Sequence, residues 1–376
     1  MVVGGLYSLA FVSAAAGETF HVTVNAAEGG KVSTDGTNWS DSVVVPVAGG
    51  ETLGNSVQYQ ADEGYKLDSV TTTTVIKKVV ASDLNTAVID DEGNLYTAGD
   101  NYRGQLGRKL GSYKYEDSVL TKVDISVKIT DVAAGLEHTV ILDENGDVWT
   151  AGSNQYGALG TDVNVGKSYG ENATFTKVNM GDGSVKIKAV AAGKYHTILI
   201  DEKGGVWTAG RNSDGELGRS DNVGDGTPNA EFKKAGGLEN VKIVSAAGGT
   251  AHTILLDESG NVWTAGTSNY GVLGRQTADD SKVTANPTFA KVTDGISGVK
   301  ITAIAAGNYH NVLLDENGNV WTAGSNLNGE LGRTPMVSVN SEFKKADLQG
   351  AAAAKFIAAY GAATVVIDTD GNARTC

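Results

Sequence analysis

Four of the five histidines, His138, His196, His252 and His310, each open the same run of apolar residues ending in an acidic pair. The pairs are Asp143 with Glu144, Asp201 with Glu202, Asp257 with Glu258 and Asp315 with Glu316. Imidazoles beside carboxylates are the usual ingredients of a metal centre or a general acid and base. Spacing argues against both. The groups return with a period of about 57 residues. Equivalent positions in such a repeat are related by rotation about a common axis, too far apart to share a metal bound at about 2 Å. The histidines therefore read as structural groups bonding backbone at a turn, and the acidic pairs as solvated turn residues. DENG at Asp143 to Gly146 is not a calcium loop, because its glycine comes too early and no glutamate follows at the twelfth place. No nucleophile elbow, phosphate loop, dinucleotide fingerprint or HExxH is present. No catalytic residue, metal ligand or cofactor is expected, and the chain reads as a non-enzyme.

The frame around each histidine is more informative than the histidine. ITDVAAGLEHTVILDENGDVWTAGSNQYGALG, Ile129 to Gly160, returns at Ile187, Ile243 and Ile301. A weaker copy precedes these, with Tyr96 in the place of Trp149, and a shortened one runs from Phe356 to Cys376. HTVILDENGDVWTAG predicts two strands around a tight turn, where Asn and Gly tolerate positive φ. ITDVAAG predicts a strand before them, and segments at Leu120, Phe175, Phe232, Phe289 and Phe343 a fourth. Apolar residues occupy both faces of the second strand, so each sheet must be covered on both sides. Four antiparallel strands per repeat, covered twice, predict an all-β β-propeller of about six four-stranded blades, or an incomplete seven-bladed ring. Trp149, Trp207, Trp263 and Trp321 are then wedges between neighbouring blades.

AAGxxH, as at Ala133 to His138, and GxNxxGxLG, as at Gly152 to Gly160 and Gly324 to Gly332, recur in register from about Thr74 to Cys376. This frame resembles the regulator-of-chromosome-condensation repeat (alpha-tubulin suppressor-like), whose members form propellers usually of seven blades. It departs from the eukaryotic form in carrying Ala151, Ala209, Ala265 or Ala323 where a Trp usually precedes the Gly. The resemblance implies an interaction scaffold or a guanine nucleotide exchange factor-like regulator.

Residues 17–73 differ in composition. HVTVNAAEGGKVSTDG, VVVPVAGGETL and VQYQADEGYKLDSV predict short strands between Gly-rich turns, a small β module that resembles the internalin-type B repeat of bacterial surface proteins. That resemblance implies secretion or a bacterial cell surface, with the cytoplasm as the alternative. TTTT at Thr71 to Thr74 is the expected linker to the propeller at 74–376. Residues 1–16 read either as a signal-like segment without a basic start, or as a blade remnant in which Gly4, Tyr7, Ser8, Leu9 and Phe11 match Gly135, His138, Thr139, Val140 and Leu142. A blade remnant would make the chain an excerpt of a longer protein. A net charge of −14 argues against nucleic acid as a partner. No apolar run approaches the roughly 18 residues of a membrane helix, and the one cysteine, Cys376, excludes an intrachain disulfide.

Strand parity puts the AAGxxH turns and the GxNxxGxLG loops on one face, with the DENG turns opposite. The segments after those loops, from Arg108, Thr161, Arg219, Arg275 and Arg333, differ most between copies, and variable loops on a rigid scaffold are where binding specificity is usually built. A protein partner is expected on that face, with Tyr156, Tyr270, Tyr195, Tyr309 and Tyr102 as anchors. Packing of Tyr195 and Tyr309 against the next blade is the alternative role. A secreted enzyme or carbohydrate-binding protein is a further alternative.

Overall fold

The computed structural model describes residues 75–376, apart from 111–115, 168–171, 182, 278–283, 335–338 and 351, and before them the backbone of four strands. Contacts divide the chain into two compact units, Met1–Lys77 and Lys78–Cys376. In the first, β1 (Thr19–Asn25) pairs antiparallel with β3 (Ser42–Ala48), and β2 (Gly30–Ser33) with β4 (Gln58–Ala61). The segment 1–16 and the four-threonine linker lie outside the described residues.

The repeats form a six-bladed β-propeller. Blade 1 is β5 (Ile76–Ala81), β6 (Asn85–Asp90), β7 (Leu95–Asp100) and β8 (Glu116–Lys122). Blade 2 is β9 (Ile129–Ala134), β10 (His138–Asp143), β11 (Val148–Gly152) and β12 (Asn172–Lys177). Blade 3 is β13 (Ile187–Ala192), β14 (His196–Asp201), β15 (Val206–Gly210) and β16 (Asn229–Lys234). Blade 4 is β17 (Ile243–Gly248), β18 (His252–Asp257), β19 (Val262–Thr267) and β20 (Ala285–Lys291). Blade 5 is β21 (Ile301–Ala306), β22 (His310–Asp315), β23 (Val320–Gly324) and the short β24 (Lys344–Lys345). Blade 6 has β25 (Ala354–Tyr360), β26 (Ala363–Asp368) and β27 (Ala373–Thr375), with no fourth strand among the described residues.

The second strand of blades 2 to 5 is buried at every position, as its two apolar faces require. Its last residue also shapes the hairpin. Asp143 Oδ1 accepts the backbone N–H groups of Asn145 and Asp147, at 2.8 and 3.0 Å, while Gly146 takes φ +75. Its Oδ2 accepts the indole N–H of Trp149 at 3.0 Å. Trp207, Trp263 and Trp321 bond Asp201, Asp257 and Asp315 in the same way. The acidic pairs are thus split. The glutamates are exposed, but the aspartates are only 2–7% exposed and hold the turn to the third strand. The expectation of solvated pairs fails for the aspartate because its carboxylate has three or four protein donors.

The core lies in the joints between blades. Val140, Leu142 and Val148 of blade 2 meet Ile187, Val190, Leu199 and Phe232 of blade 3, with the half-buried Trp207 packed against them. Equivalent clusters fill the joints on either side. Each tryptophan is therefore a wedge, as the repeat predicts. The same positions are more open in blade 1: Val79 and Leu120 are 60% and 47% exposed, against 0% for Val132 and Phe343 at the matching places.

Candidate partner-binding face

Polar clasps set the geometry of one face. His138 Nε2 lies 3.0 Å from Thr197 Oγ1 of the next blade, and His196 Nε2 lies 2.8 Å from Thr253 Oγ1. His252 meets Asn311 Oδ1 at 3.0 Å, and His310 meets Thr364 Oγ1 at 3.0 Å. Each partner side chain also donates to a carbonyl in the preceding blade's loop: Thr197 to Ala158, Thr253 to Glu216, Asn311 to Val272 and Thr364 to Glu330, all at 2.7 Å. A hydroxyl that donates there must accept from the imidazole, as the Asn311 amide oxygen must, so each histidine carries a proton on Nε2. Asn85 fills the same place in blade 1, donating to Thr139 Oγ1 at 3.2 Å. The histidines are structural: each clasps a side chain of the next blade, and His310 also bonds the backbone of Ala363 beside that blade's turn.

Burial holds these imidazoles far below their ordinary pKa: about 4 for His138 and His252, about 3 for His196 with a smaller push from His252 and His138, and about 4 for His310. The glycine of AAGxxH makes room for the ring. A Cβ on Gly193 would sit 2.1 Å from His196 Cε1. No group of histidine, cysteine, aspartate and glutamate suited to a metal occurs among the described residues.

The GxNxxGxLG loop is built from its asparagine. Asn154 Oδ1 accepts the N–H of Leu159 at 3.1 Å while its amide donates to the carbonyls of Thr161 and Val163, both at 2.8 Å. Thr150 Oγ1 donates to Leu159 O at 2.9 Å, tying the loop to the third strand. The loop then leans on the next blade: the N–H of Asn229 donates to Tyr156 O at 3.0 Å. Turns and loops thus share one face, as strand parity predicts.

On that face the tyrosines come in pairs. Tyr156 of blade 2 meets Tyr195 of blade 3 edge to face, ring centres 5.3 Å apart, and Tyr270 of blade 4 meets Tyr309 of blade 5 at 5.1 Å. All four are half-buried. Tyr195 and Tyr309 therefore pack against the preceding blade and still show an edge to solvent, and burial raises the Tyr195 phenol above its ordinary pKa. Tyr270 holds φ +58, a conformation disfavoured for a non-glycine residue and tolerated chiefly where surroundings enforce it. Tyr102 is 48% exposed, with the Arg103 guanidinium 5.3 Å from its ring centre.

The same columns hold charged groups at Arg103, Glu137 and Asp214. Arg103 meets Glu137 at 3.4 Å between blades 1 and 2. Within blade 3, Arg211 contacts Asp214 at 2.8 Å and the buried Glu216 at 3.3 Å; burial raises the Glu216 pKa against the opposing pull of Arg211. Nearer the axis, Lys194 reaches Asp83 at 3.6 Å, and the Tyr360 hydroxyl of blade 6 hydrogen-bonds the same carboxylate. Single-residue inspection missed these groups. Aligning the copies would have found them, because Arg103, Tyr156, Asp214 and Tyr270 share one column and Glu137, Tyr195, Ala251 and Tyr309 another.

Known proteins place this geometry. The chain is 30% identical over 260 residues to the ultraviolet-B receptor UVR8 of Arabidopsis thaliana, covering 68% of this chain and 54% of the receptor. It is 30% identical over 284 residues to the secretion-regulating guanine nucleotide exchange factor of Bos taurus, covering 72% and 57%. The chain thus spans about half the length of these curated relatives. Among solved structures, Prp20p of Saccharomyces cerevisiae, described with its binding properties to Gsp1p and histones, superposes with a TM-score of 0.67 at 22% identity over 76% of this chain and 67% of that one. Yeast RCC1 (Prp20) bound to Kap60 gives 0.68 at 22% identity over 80% and 69%. The family profile described as RCC1-like domain matches residues 3–366, and the chain belongs to that family.

Proposed function

We propose that this chain is a non-enzymatic interaction scaffold that binds another protein through the face carrying the AAGxxH turns and GxNxxGxLG loops. The observation that carries the reading is the pair of edge-to-face tyrosine contacts, Tyr156 with Tyr195 and Tyr270 with Tyr309, presented at alternate joints of a rigid ring. Tyrosine is enriched at binding hot spots because it buries large area at low entropic cost. The proposed location, secreted or on a bacterial surface, rests on the sequence of residues 17–73 alone, and the relatives named above are eukaryotic. Fractionation of the cells that make the protein tests it.

A partner captured by cross-linking should lose at least about tenfold in affinity on Tyr156→Ala with Tyr270→Ala, in line with hot-spot truncations. Charge reversal at Glu144 and Glu202, on the opposite face, should change little. The opposite result would place the binding face at the DENG turns. A second reading, an exchange factor-like regulator, is favoured by the likeness to the bovine exchange factor. Release of a fluorescent guanine nucleotide from small GTPases, faster with the chain than without it, would support that reading over the first.

A further inference from the structure

The fourth strands of blades 2 to 5 share one signature, Asn-x-x-Phe-x-Lys, at residues 172–177, 229–234, 286–291 and 340–345. The phenylalanine ring covers a bare glycine of the preceding blade: a Cβ on Gly107, Gly160, Gly218 or Gly274 would lie 2.0–2.1 Å from Phe175, Phe232, Phe289 or Phe343. The lysine stands across the strands from Trp149, Trp207, Trp263 or Trp321, towards the DENG turns. A second lysine, Lys186, Lys242 or Lys300, ends the connection from blades 2, 3 and 4 to the next blade. The residue before the third strand, Asp147, Gly205, Asn261 or Asn319, completes the group.

That last residue decides how the lysines are used. In blade 2, Asp147 Oδ2 accepts from Lys177 Nζ at 2.6 Å and its Oδ1 from Lys186 Nζ at 3.3 Å, so one planar carboxylate holds both ammonium groups. The bond from Lys177 first, and then that from Lys186, keeps this carboxyl below its ordinary pKa. In blade 3 the place is Gly205, and Lys234 lies over the Trp207 indole at 5.3 Å. In blade 5 Ala353 replaces the second lysine, and Lys345 lies over Trp321 at 5.2 Å. Blade 1 has Lys122 and Lys128, but its connection has six residues (123–128) where blades 2 and 4 have nine (178–186 and 292–300).

Blade 4 keeps both lysines without the acid. Asn261 turns its amide away from them, donating to Asp257 Oδ2 at 2.9 Å and Oδ1 at 3.2 Å. Lys291 and Lys300 then line an open cavity of about 230 Å³ with Ser259, Thr293 and Ser297. Among the described residues the Lys291 side chain has no hydrogen bond, ion pair or ring contact. Lys300 reaches Glu316 at 3.7 Å, an exposed pair of the kind that holds weakly. Asp294, the one acid of the connection, is engaged elsewhere, accepting from the N–H of Gln276 at 2.8 Å. The cavity is cationic, lined with hydroxyls, and smaller than pockets that take drug-sized ligands.

We propose that this notch binds a small carboxylate, which bridges Lys291 and Lys300 as Asp147 bridges Lys177 and Lys186. A planar head offers one oxygen to each ammonium, and the three hydroxyls serve the rest of a polar acid of a few carbon atoms. The site lies opposite the tyrosine pairs and is independent of the partner proposed there.

Equilibrium dialysis of the 376-residue chain against labelled malonate, at constant ionic strength, should show saturable binding of one ligand per chain. Asn261→Asp puts a tethered carboxylate where Asp147 has one, so it should abolish that binding without lowering the melting temperature. Lys291→Gln should weaken binding about tenfold, the effect of losing one charge-assisted hydrogen bond. Asp147→Asn, which frees Lys177 and Lys186, should raise the count to two. The proposal is overturned if malonate does not saturate, if its binding survives Asn261→Asp, or if the count stays at one in Asp147→Asn. Inorganic phosphate displacing malonate better than unlabelled succinate does would overturn the assignment to a carboxylate.

Discussion

A buried neutral histidine is a liability in acid, and this ring has four. Their folded pKa values lie near 3 to 4, below the ordinary 6.5. Between those limits the unfolded chain binds protons that the folded chain refuses, so unfolding takes up about four protons and stability falls as pH drops from about 6.5 towards 4. Above about 6.5 both states are neutral and this dependence vanishes. Asp257 and Asp315 act in a lower window: burial pushes their pKa up, but the indole, asparagine and backbone donors outweigh it, so their contribution is lost only as pH falls through their depressed values. Urea denaturation between pH 7 and 4 should show the histidine slope, and His196→Asn should reduce it while keeping the clasp, since Asn85 already serves blade 1 that way. An unchanged slope would remove His196 from the account. Gly193→Ala should cost about 1–3 kcal/mol through overpacking against the His196 ring, and much less in a His196→Ala background. Equal costs in both backgrounds would show that the ring is not what the glycine accommodates. The sequence marks these residues as recurrent, but not their partners. The hydroxyl or amide oxygen that receives each histidine lies in the next repeat, more than fifty positions along the chain, and no local spacing points to it.

At the level of strands, the hairpin and its two apolar faces were legible because both follow from periodicity and turn chemistry within a few residues. The fourth strand was legible in place but not in purpose, since its phenylalanine is explained only by a glycine of the preceding blade. Phe343→Ala, at a site with no exposure, should cost about 3–5 kcal/mol, the usual loss for a buried aromatic. Denaturant midpoints shifted by less than a tenth of that would show that the ring does not seal the joint. Trp207→Phe should cost less, about 1–3 kcal/mol, chiefly by leaving the Asp201 carboxylate short of its indole donor. The candidate face was legible as a face for the same reason as the hairpin, through strand parity. The pairing of its tyrosines was not, because each pair spans a joint and becomes visible only when the copies are aligned.

For the whole chain, two compact units meeting at Lys77 and Lys78 imply that a protease at low ratio should release a resistant fragment beginning close to that boundary. Mass spectrometry of the first product tests this. Early cuts in the middle of the ring, before any near residues 71–78, would contradict the division. The number of blades followed from counting the copies of the frame, four full ones with a weaker one before them and a shortened one after. The exposure of Val79 and Ile367 did not follow in that way, because it depends on which strands pack beside them and not on the residues next to them in the chain.

The clasp has a consequence for how such a chain can lengthen or shorten over generations. Blades 1 to 5 each offer a donor and blades 2 to 6 each a hydroxyl or amide oxygen to receive it, so a gene duplication that repeats one whole inner blade creates two joints of the kind already present, with no new side chain required. A duplication of half a period sets a histidine against a residue with nothing to accept its proton, leaving a buried polar group unpaired at a cost of about 1–3 kcal/mol. Selection on stability alone would then hold insertions and deletions to multiples of one blade, and confine odd-length variation to the segments that follow the GxNxxGxLG loops.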